Sequence, residues 1–540
     1  MKGVPLFLVA LLAAGVSGCG KRVTRIDVGN REQVLHMGNG DEIEDLDPQV
    51  VTGIIEHNVI AALFEGLVCE DPVDLHPIPG TAESWTVSDD KRIYTFKIRR
   101  TARWSNGERV TARDFYESYK RMLLPALGSE YVNMLFVVEN AADYYEGKIK
   151  DFSKVGFKLL DDSTLEVKLK APTPYFLWML GHHYSWWPVH IPTILKHGRI
   201  DDKNNQWTRP ENFVGNGPFT LAEWKVNTVL KVKRNHFYWD DQKVTLKEIW
   251  FYPIQSRDTE ERAFRSGQLH VTYEIPRHKV PFYEKARSPY LRIDPYLGTY
   301  FYRLNVTHPA LKDKRVRRAL AMAVDREAIV RNVTRSGELP ANTFVPTTMA
   351  NYKPVTNIPT DFAAAKKLLA DAGFPEGRGL PPIEIHFNTE EKHRMIAEAI
   401  QQMWHKNLGI RVTLVNQEWK VYLDAQDTLA YMASRGGWIG DYIDPNTFLE
   451  MWKTGDGNND TGWGNPDYDR LIEEARVTID PAERLQKLER AEAILLDEAP
   501  VIPIYFYTKP YLVQTSVRNW FTNVLDHHPY KHVFLQAPGI

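Results

Sequence analysis

A chain of 540 residues, 43% hydrophobic and 25% charged, is long enough for more than one buried core and too apolar to stay unfolded. Its formal net charge of -2 comes from acids and bases mixed along the whole length, which excludes a basic nucleic-acid tract and an acidic disordered tail. With only Cys19 and Cys69, a thiolate zinc site cannot form and a disulfide scaffold is ruled out.

The opening "MKGVPLFLVALLAAGVSGCG" carries one lysine, an apolar run from Val4 to about Val16, and small residues ending at Cys19. The run is short for a membrane span, so residues 1–18 read as an export signal. The tetrad "VSGC" resembles the lipobox of bacterial lipoproteins, which makes Cys19 the expected lipidation site. The protein is then expected at the cell surface or in the periplasm, tethered to a bacterial membrane. Cys69, in "LFEGLVCEDP", reads as a small buried residue.

"QVLHMGNGDEIEDLDP" predicts a strand running into a turn at Asp47-Pro48. "TGIIEHNVIAALFEGL" predicts a helix with Ile55, Val59, Ala62 and Leu63 on one face. "RIYTFKIRR" and "STLEVKLK" alternate as strands, and Thr111 opens the amphipathic helix "TARDFYESYKRML". "NGPFTLAEWKVNTVLKVKRN" predicts two strands around a turn. Further on, Asp313 opens one helix over "KRVRRALAMAVDREAIVRNV" with Val316, Leu320, Ala323 and Val324 as its stripe. Asp361 caps a helix closed by Gly373 and Pro375, and Thr389 caps another closed by Gly409. Strands and helices alternate without repeats or a long linker, which predicts an α/β fold.

Enzyme motifs are absent: no GxSxG, no GxxxxGK[ST], no HExxH, and no GxGxxG after a strand. Histidines cluster at His182, His183 and His190 and again at His527 and His528, in aromatic and proline-rich surroundings that favour packing or a solvated loop. No metal or other cofactor is expected. The acids Asp161-Asp162 and Asp201-Asp202 fall in turns, where they serve the backbone.

One stretch invites a ligand. "RGGWIGDY" (435–442) follows "LAYMAS", which reads as a strand entering a core. The even separation of Arg435 and Asp441 places both on one face if the strand continues, at about 20 Å apart when extended. Gly436 and Gly437 would let another backbone approach closely. On residue type alone both charges could equally form structural ion pairs with neighbours, Trp419 and Trp438 could be core, and His393 an exposed helix histidine.

Motifs over nearly all of the remaining chain resolve these alternatives. "DLDP" (45–48), "LFEGL" (63–67), "PGTAESW" (79–85), "RWSNGERVTARDF" (103–115), "NGPFTL" (216–221), "DPYLGTYFYRLN" (294–305), "DKRVRRALAMAVDRE" (313–327) and "LVNQEWKVYLD" (414–424) occur in an order and spacing that resemble the oligopeptide-binding group of bacterial ABC-importer solute-binding proteins (extracellular family 5 type). The resemblance implies a two-lobed periplasmic-binding-protein clamp with an additional domain inserted in the first lobe. It puts the first lobe at 19–64, 188–295 and 508–540, the inserted domain at 65–187, and the second lobe at 296–507. It also implies that Asp441 anchors a peptide α-amino group, that Arg435 and His393 hold a C-terminal carboxylate, and that Trp419, Trp438, Tyr131 and Tyr507 wall side-chain pockets. Backbone bonds to an extended peptide would come from Thr52-Gly53-Ile54 and Gly437-Trp438-Ile439. The implied partners are short peptides and an ABC permease, with the receptor a monomer, without catalysis and without nucleic acid. Two departures stand out: Gln426 occupies a position that is arginine in well-known members, and Thr52 one that can be glutamate; both are read as removing charge from pocket walls. Another solute (murein peptide, haem or nickel chelate) and a hydrolase remain the rival readings.

Overall fold

The computed structural model describes residues 23–349 and 352–536, so the expected export signal at 1–18 and Cys19 lie outside the described residues. Three large hydrophobic cores organise the chain, each on its own sheet. The first takes residues from three distant stretches: Leu35 to Phe64, Tyr184 to Val271, and Tyr511 to Leu535. Its sheet orders strands Val34–Gly38, Glu248–Tyr252, Val229–Arg234 and Phe219–Lys225, with the first pair parallel. The second core draws on residues between Leu67 and Trp186, joined by Val214 and Tyr442, around an antiparallel sheet ordered Ala82–Val87, Ile93–Ile98, Thr164–Lys168, Phe157–Asp161. The third, spanning Leu297 to Leu525, lies against a six-stranded mixed sheet. This is a clamp of two α/β lobes with an additional domain. Among the described residues no helix is long and apolar enough to cross a membrane.

The six-stranded sheet carries the connection between lobes. Its order is Leu339–Pro340, Val501–Leu512, Leu291–Leu304, Ala433–Ile439, Ile383–Asn388, Val412–Gln417. The two long strands Leu291–Leu304 and Val501–Leu512 run antiparallel, with register breaks between Pro295 and Thr299 and between Tyr300 and Phe301. At one end they meet the first core through Tyr511 and Val513, and at the other they enter the third.

Most expected caps are present. Thr111 forms a capping box with Asp114, Asp361 accepts from the Ala363 and Ala364 N–H groups, and Gly409 ends its helix at φ +70°. Two expectations change. The helix opened by Asp313 stops after Lys314–Met322, because Asp325 accepts the Ala328 N–H and starts a new short helix Arg326–Ile329 that loosens into a π-turn over Val330–Thr334. The cap of helix Glu391–Leu408 is Glu390; the Thr389 hydroxyl is drawn to the Gln417 carbonyl and Asn416. Cys69 is half-buried on a cavity wall instead of fully packed.

Candidate functional site

Strand Ala433–Ile439 is central in its sheet only at its start. On one side it pairs with Leu291–Leu304 along its whole length, from Ala433↔Leu304 to Ile439↔Gly298. On the other it pairs with Ile383–Asn388 only at Ala433 and Ser434. Among the described residues no strand covers that edge from Arg435 onward. The Arg435 carbonyl points to this edge, where it accepts from the Tyr422 hydroxyl and from Gln426 Nε2. Backbone groups alternate sides along a strand, so the N–H and C=O of Gly437 and Ile439 point the same way. Gly440, of opposite parity, donates instead to Leu297 O at 2.8 Å. Gly437 and Ile439 are exposed, so an edge of two unpaired residues opens between the lobes.

Among the described residues neither Arg435 nor Asp441 forms a salt bridge, so the structural ion-pair alternative fails. Arg435 is half-buried, its Nε buried without an acceptor, and its guanidinium lies 5.5 Å over the Tyr300 ring. Asp441 does not share a strand face with it: the strand ends at Ile439, and Gly440 turns the chain into a loop fixed by the Asp441 N–H on Thr447 Oγ1 at 3.1 Å. The Asp441 carboxylate is open to the cleft. Desolvation by the cleft walls pushes its pKa up to about 6, against a lowering contribution from Thr447.

Across the cleft stand the expected first-lobe residues. Thr52, Gly53 and Ile54 lead into helix Ile54–Leu63 and line, with Ile439, Gly440, Asp441 and Tyr131, a cleft of about 290 Å³. The Tyr131 ring packs edge-on against His183 at 4.4 Å, and its hydroxyl reaches toward Thr52 O at 3.5 Å.

The arginine end is more crowded than expected. Both nitrogens of His393 are engaged: Nε2 lies 2.8 Å from Glu390 and Nδ1 3.1 Å from the Tyr300 hydroxyl. Burial, with Arg435 nearby, lowers its pKa, while Glu390 opposes the shift. Lys392, overlooked in the sequence, lies 4.8 Å over Tyr505 and 5.8 Å over Tyr507; burial and then Arg277 bring its pKa down to about 8. Its position next to His393 in a first helical turn was the available signal. Tyr507 roofs Gly437, where an added Cβ would stand 2.7 Å from its hydroxyl. Gly436 is needed for packing, since a Cβ there would meet Phe301 at 2.6 Å and Arg303 at 2.8 Å, and it admits no ligand backbone. Trp438 packs on the third core with its indole N–H unpartnered, and Trp419, 51% exposed, stacks on Tyr422 at 5.5 Å. Gln426 is buried, with its side-chain amide donating to Ser434 Oγ and to the Arg435 carbonyl. Thr52 does face the cleft.

A cleft between lobes with an open strand edge and separated, unpaired charges agrees with the outcome of comparison. The model of the family "Bacterial extracellular solute-binding proteins, family 5 Middle" matches residues 76–460. The chain belongs to this family. Among family 5 relatives it is 36% identical over 521 residues to the periplasmic oligopeptide-binding protein OppA of Salmonella typhimurium, covering 94% of this chain and 93% of that one. Among solved structures it superposes on the unliganded open form of the periplasmic murein tripeptide-binding protein MppA with a TM-score of 0.84 at 33% identity, covering 93% and 97%. The Haemophilus influenzae OppA complex with the peptide RPPGFSPFR gives 0.73 at 31% identity, covering 93% and 99%. The better fit to the open form agrees with the exposure of Gly437 and Ile439.

The family match says nothing of single side chains, and two histidine clusters converge unexpectedly. His182 and His527 both meet the Glu70 carboxylate, whereas His190 pairs with Glu108 and His528 with Asp526.

Proposed function

We propose that this protein is an extracytoplasmic receptor that binds short peptides as an added strand and presents them to an ABC importer. The observation that carries this reading is the uncovered edge at Gly437 and Ile439 flanked by unpaired Arg435 and Asp441. An extended backbone laid there gains main-chain hydrogen bonds whatever its side chains, which yields sequence tolerance. Asp441 takes the α-ammonium group. Arg435 takes the carboxylate end, and a ligand carboxylate replaces Glu390 at His393, while Lys392 stays paired with Glu338 at 3.5 Å. Tyr131, Trp419, Trp438 and Tyr507 bound the side-chain space, and Thr52-Gly53-Ile54 meet the peptide from the first lobe. Only closure brings both lobes onto one ligand, so binding energy drives it.

The same reading divides the lobes at residues 296 and 507, where the long strands cross and the first breaks register. It anchors the chain through a lipidated Cys19, as a monomer, and gives it no catalytic turnover.

Native mass spectrometry of the chain from residue 20 onward, with ligands released and sequenced, tests the reading. A spread of short peptides with free amino ends is expected; a single non-peptide mass overturns it. The similarity to the murein tripeptide-binding protein favours one second reading, a murein peptide, and binding of a murein tripeptide tighter than that of ordinary tripeptides would select it.

The raised pKa of Asp441 gives a second test. Only the ionised carboxylate attracts an ammonium group, so affinity is full above pH 7 and declines as pH falls through about 6. Between pH 7 and pH 5 the Kd of a free-amino peptide should rise about tenfold, and Asp441→Asn should flatten that slope in calorimetric titrations.

A further inference from the structure

Beside the cleft, three side chains remote in sequence meet at one point. Glu70 ends strand Val68–Glu70, His182 ends helix Phe176–His182, and His527 lies in the C-terminal segment. Glu70 Oε1 is 2.9 Å from His182 Nδ1, and Oε2 is 2.9 Å from His527 Nδ1. The three donor atoms all lie within 4.8 Å of one another. All three side chains are largely buried, at 8%, 12% and 14% exposure for Glu70, His182 and His527. His527 stacks on His182, centroids 4.6 Å apart, and on His57 at 4.1 Å. Among the described residues no lysine or arginine pairs with Glu70, so its buried charge is met by imidazoles alone.

We infer that Glu70, His182 and His527 form a binding site for a divalent transition metal, with Zn2+ the best match. Two imidazole nitrogens and one carboxylate oxygen are the donors that suit zinc, whereas Mg2+ and Ca2+ require oxygen ligands throughout. Tetrahedral zinc with bonds of about 2.0–2.1 Å separates its ligand atoms by about 3.3 Å, so the two 2.9 Å contacts of Glu70 with His182 and His527 need lengthen by only about 0.4 Å to admit the metal. Ligation through Nδ1 uses the Nε2–H tautomer of each ring, so a proton that bridges Nδ1 to the carboxylate in the metal-free site moves to Nε2 when the metal enters. Three protein donors leave a fourth position free, as in exchangeable zinc sites. His182 and His527 line the same cleft as Asp441 and Gly53, and Glu70 lines the adjoining cavity with His527, so the site stands in the wall between the two. His57, whose ring makes no side-chain hydrogen bond among the described residues, lines the cleft beside them. The site stands on this geometry alone and holds whatever the cargo is.

The test is titration of the chelator-stripped chain with ZnCl2, followed by calorimetry and native mass spectrometry. One Zn2+ per chain is expected. His182→Asn and His527→Asn should each weaken it at least tenfold, as should Glu70→Gln, with far-UV circular dichroism confirming that each variant folds. Co2+ supplies a readout in the wild-type chain alone: a four-coordinate ligand-field spectrum, displaced by Zn2+. Absence of a stoichiometric site overturns the inference. So does Zn2+ binding that is indifferent to both histidine substitutions, which would place the metal on half-buried Asp71 with exposed Asp74 and His76.

Discussion

Asp441→Ala should weaken binding of a short free-amino peptide by about a hundredfold or more, while leaving thermal stability unchanged or slightly raised. Two facts set the direction. The Asp441 carboxylate has no cation of its own among the described residues, and the cleft walls desolvate it enough to lift its pKa to about 6. An unpaired desolvated carboxylate weakens the ligand-free protein, so its removal relieves the apo state. In the complex the same group is paired, and truncating one partner of a desolvated charge pair costs roughly 2–5 kcal/mol, where tenfold in Kd is about 1.4. The control is the N-acetylated peptide. It should bind wild type weakly, and bind Asp441→Ala no more weakly, because the lost interaction is one and the same. Isothermal titration of two peptides against two proteins gives the coupling directly. Acetylated and free peptides binding wild type equally well would remove Asp441 from the anchor role. A variant that loses both peptides together with its thermal stability would instead assign Asp441 to the fold.

What the sequence made legible follows from how local each signal is. Capping residues such as Thr111 and Asp361 act over two or three residues, and their helices start as expected. The glycine C-cap at Gly409 is equally local. Asp325 was a local signal too, but it sits inside a continuous apolar stripe, and periodicity outweighed it. The continuation of one strand face to Asp441 failed because the ladder ends one residue earlier: Gly440 still donates to Leu297, but the Asp441 N–H turns away to Thr447 Oγ1, a contact fixed by the loop that follows. Glu390 at His393 was readable as an i, i+3 pair in a first helical turn, yet it became meaningful only once Tyr300 closed the other nitrogen. Gln426 looked like a pocket-wall change until the fold turned it inward onto Ser434 and the Arg435 carbonyl. The meeting of His182 and His527 on Glu70 lies furthest from sequence reasoning. Its members are 112 and 457 residues from the carboxylate, and only the return of the C-terminal segment to the first lobe brings them together.

Asp47→Ala should destabilise the protein by about 3–5 kcal/mol, the largest single effect expected outside the cleft. Arg121, fully buried, donates from Nη2 to Asp47 at 2.7 Å and from Nη1 at 3.2 Å. The same carboxylate accepts from the Gln49 N–H at 3.0 Å and the Trp207 indole at 3.3 Å. Arg121 also donates to Gln49 Oε1 and to the Ile200 carbonyl, so its charge is satisfied only while Asp47 stays in place. Removing Asp47 leaves a guanidinium buried and uncompensated, which costs more than the pair itself contributes. The double variant Asp47→Ala/Arg121→Met should therefore recover part of the lost stability, because the stranded charge goes too. The consequence reaches the ligand. Asp47 ties the 45–53 segment to helix Ala112–Met122, and that segment ends in Thr52 and Gly53 on the cleft wall. Hydrogen exchange at residues 45–54 should accelerate in Asp47→Ala and be restored in part by the double variant, with peptide affinity following the same order. Equal unfolding midpoints for wild type and Asp47→Ala would mean that the loop is held by Gln49 and Asp45 alone, and that the buried pair does not set the geometry of the first-lobe edge.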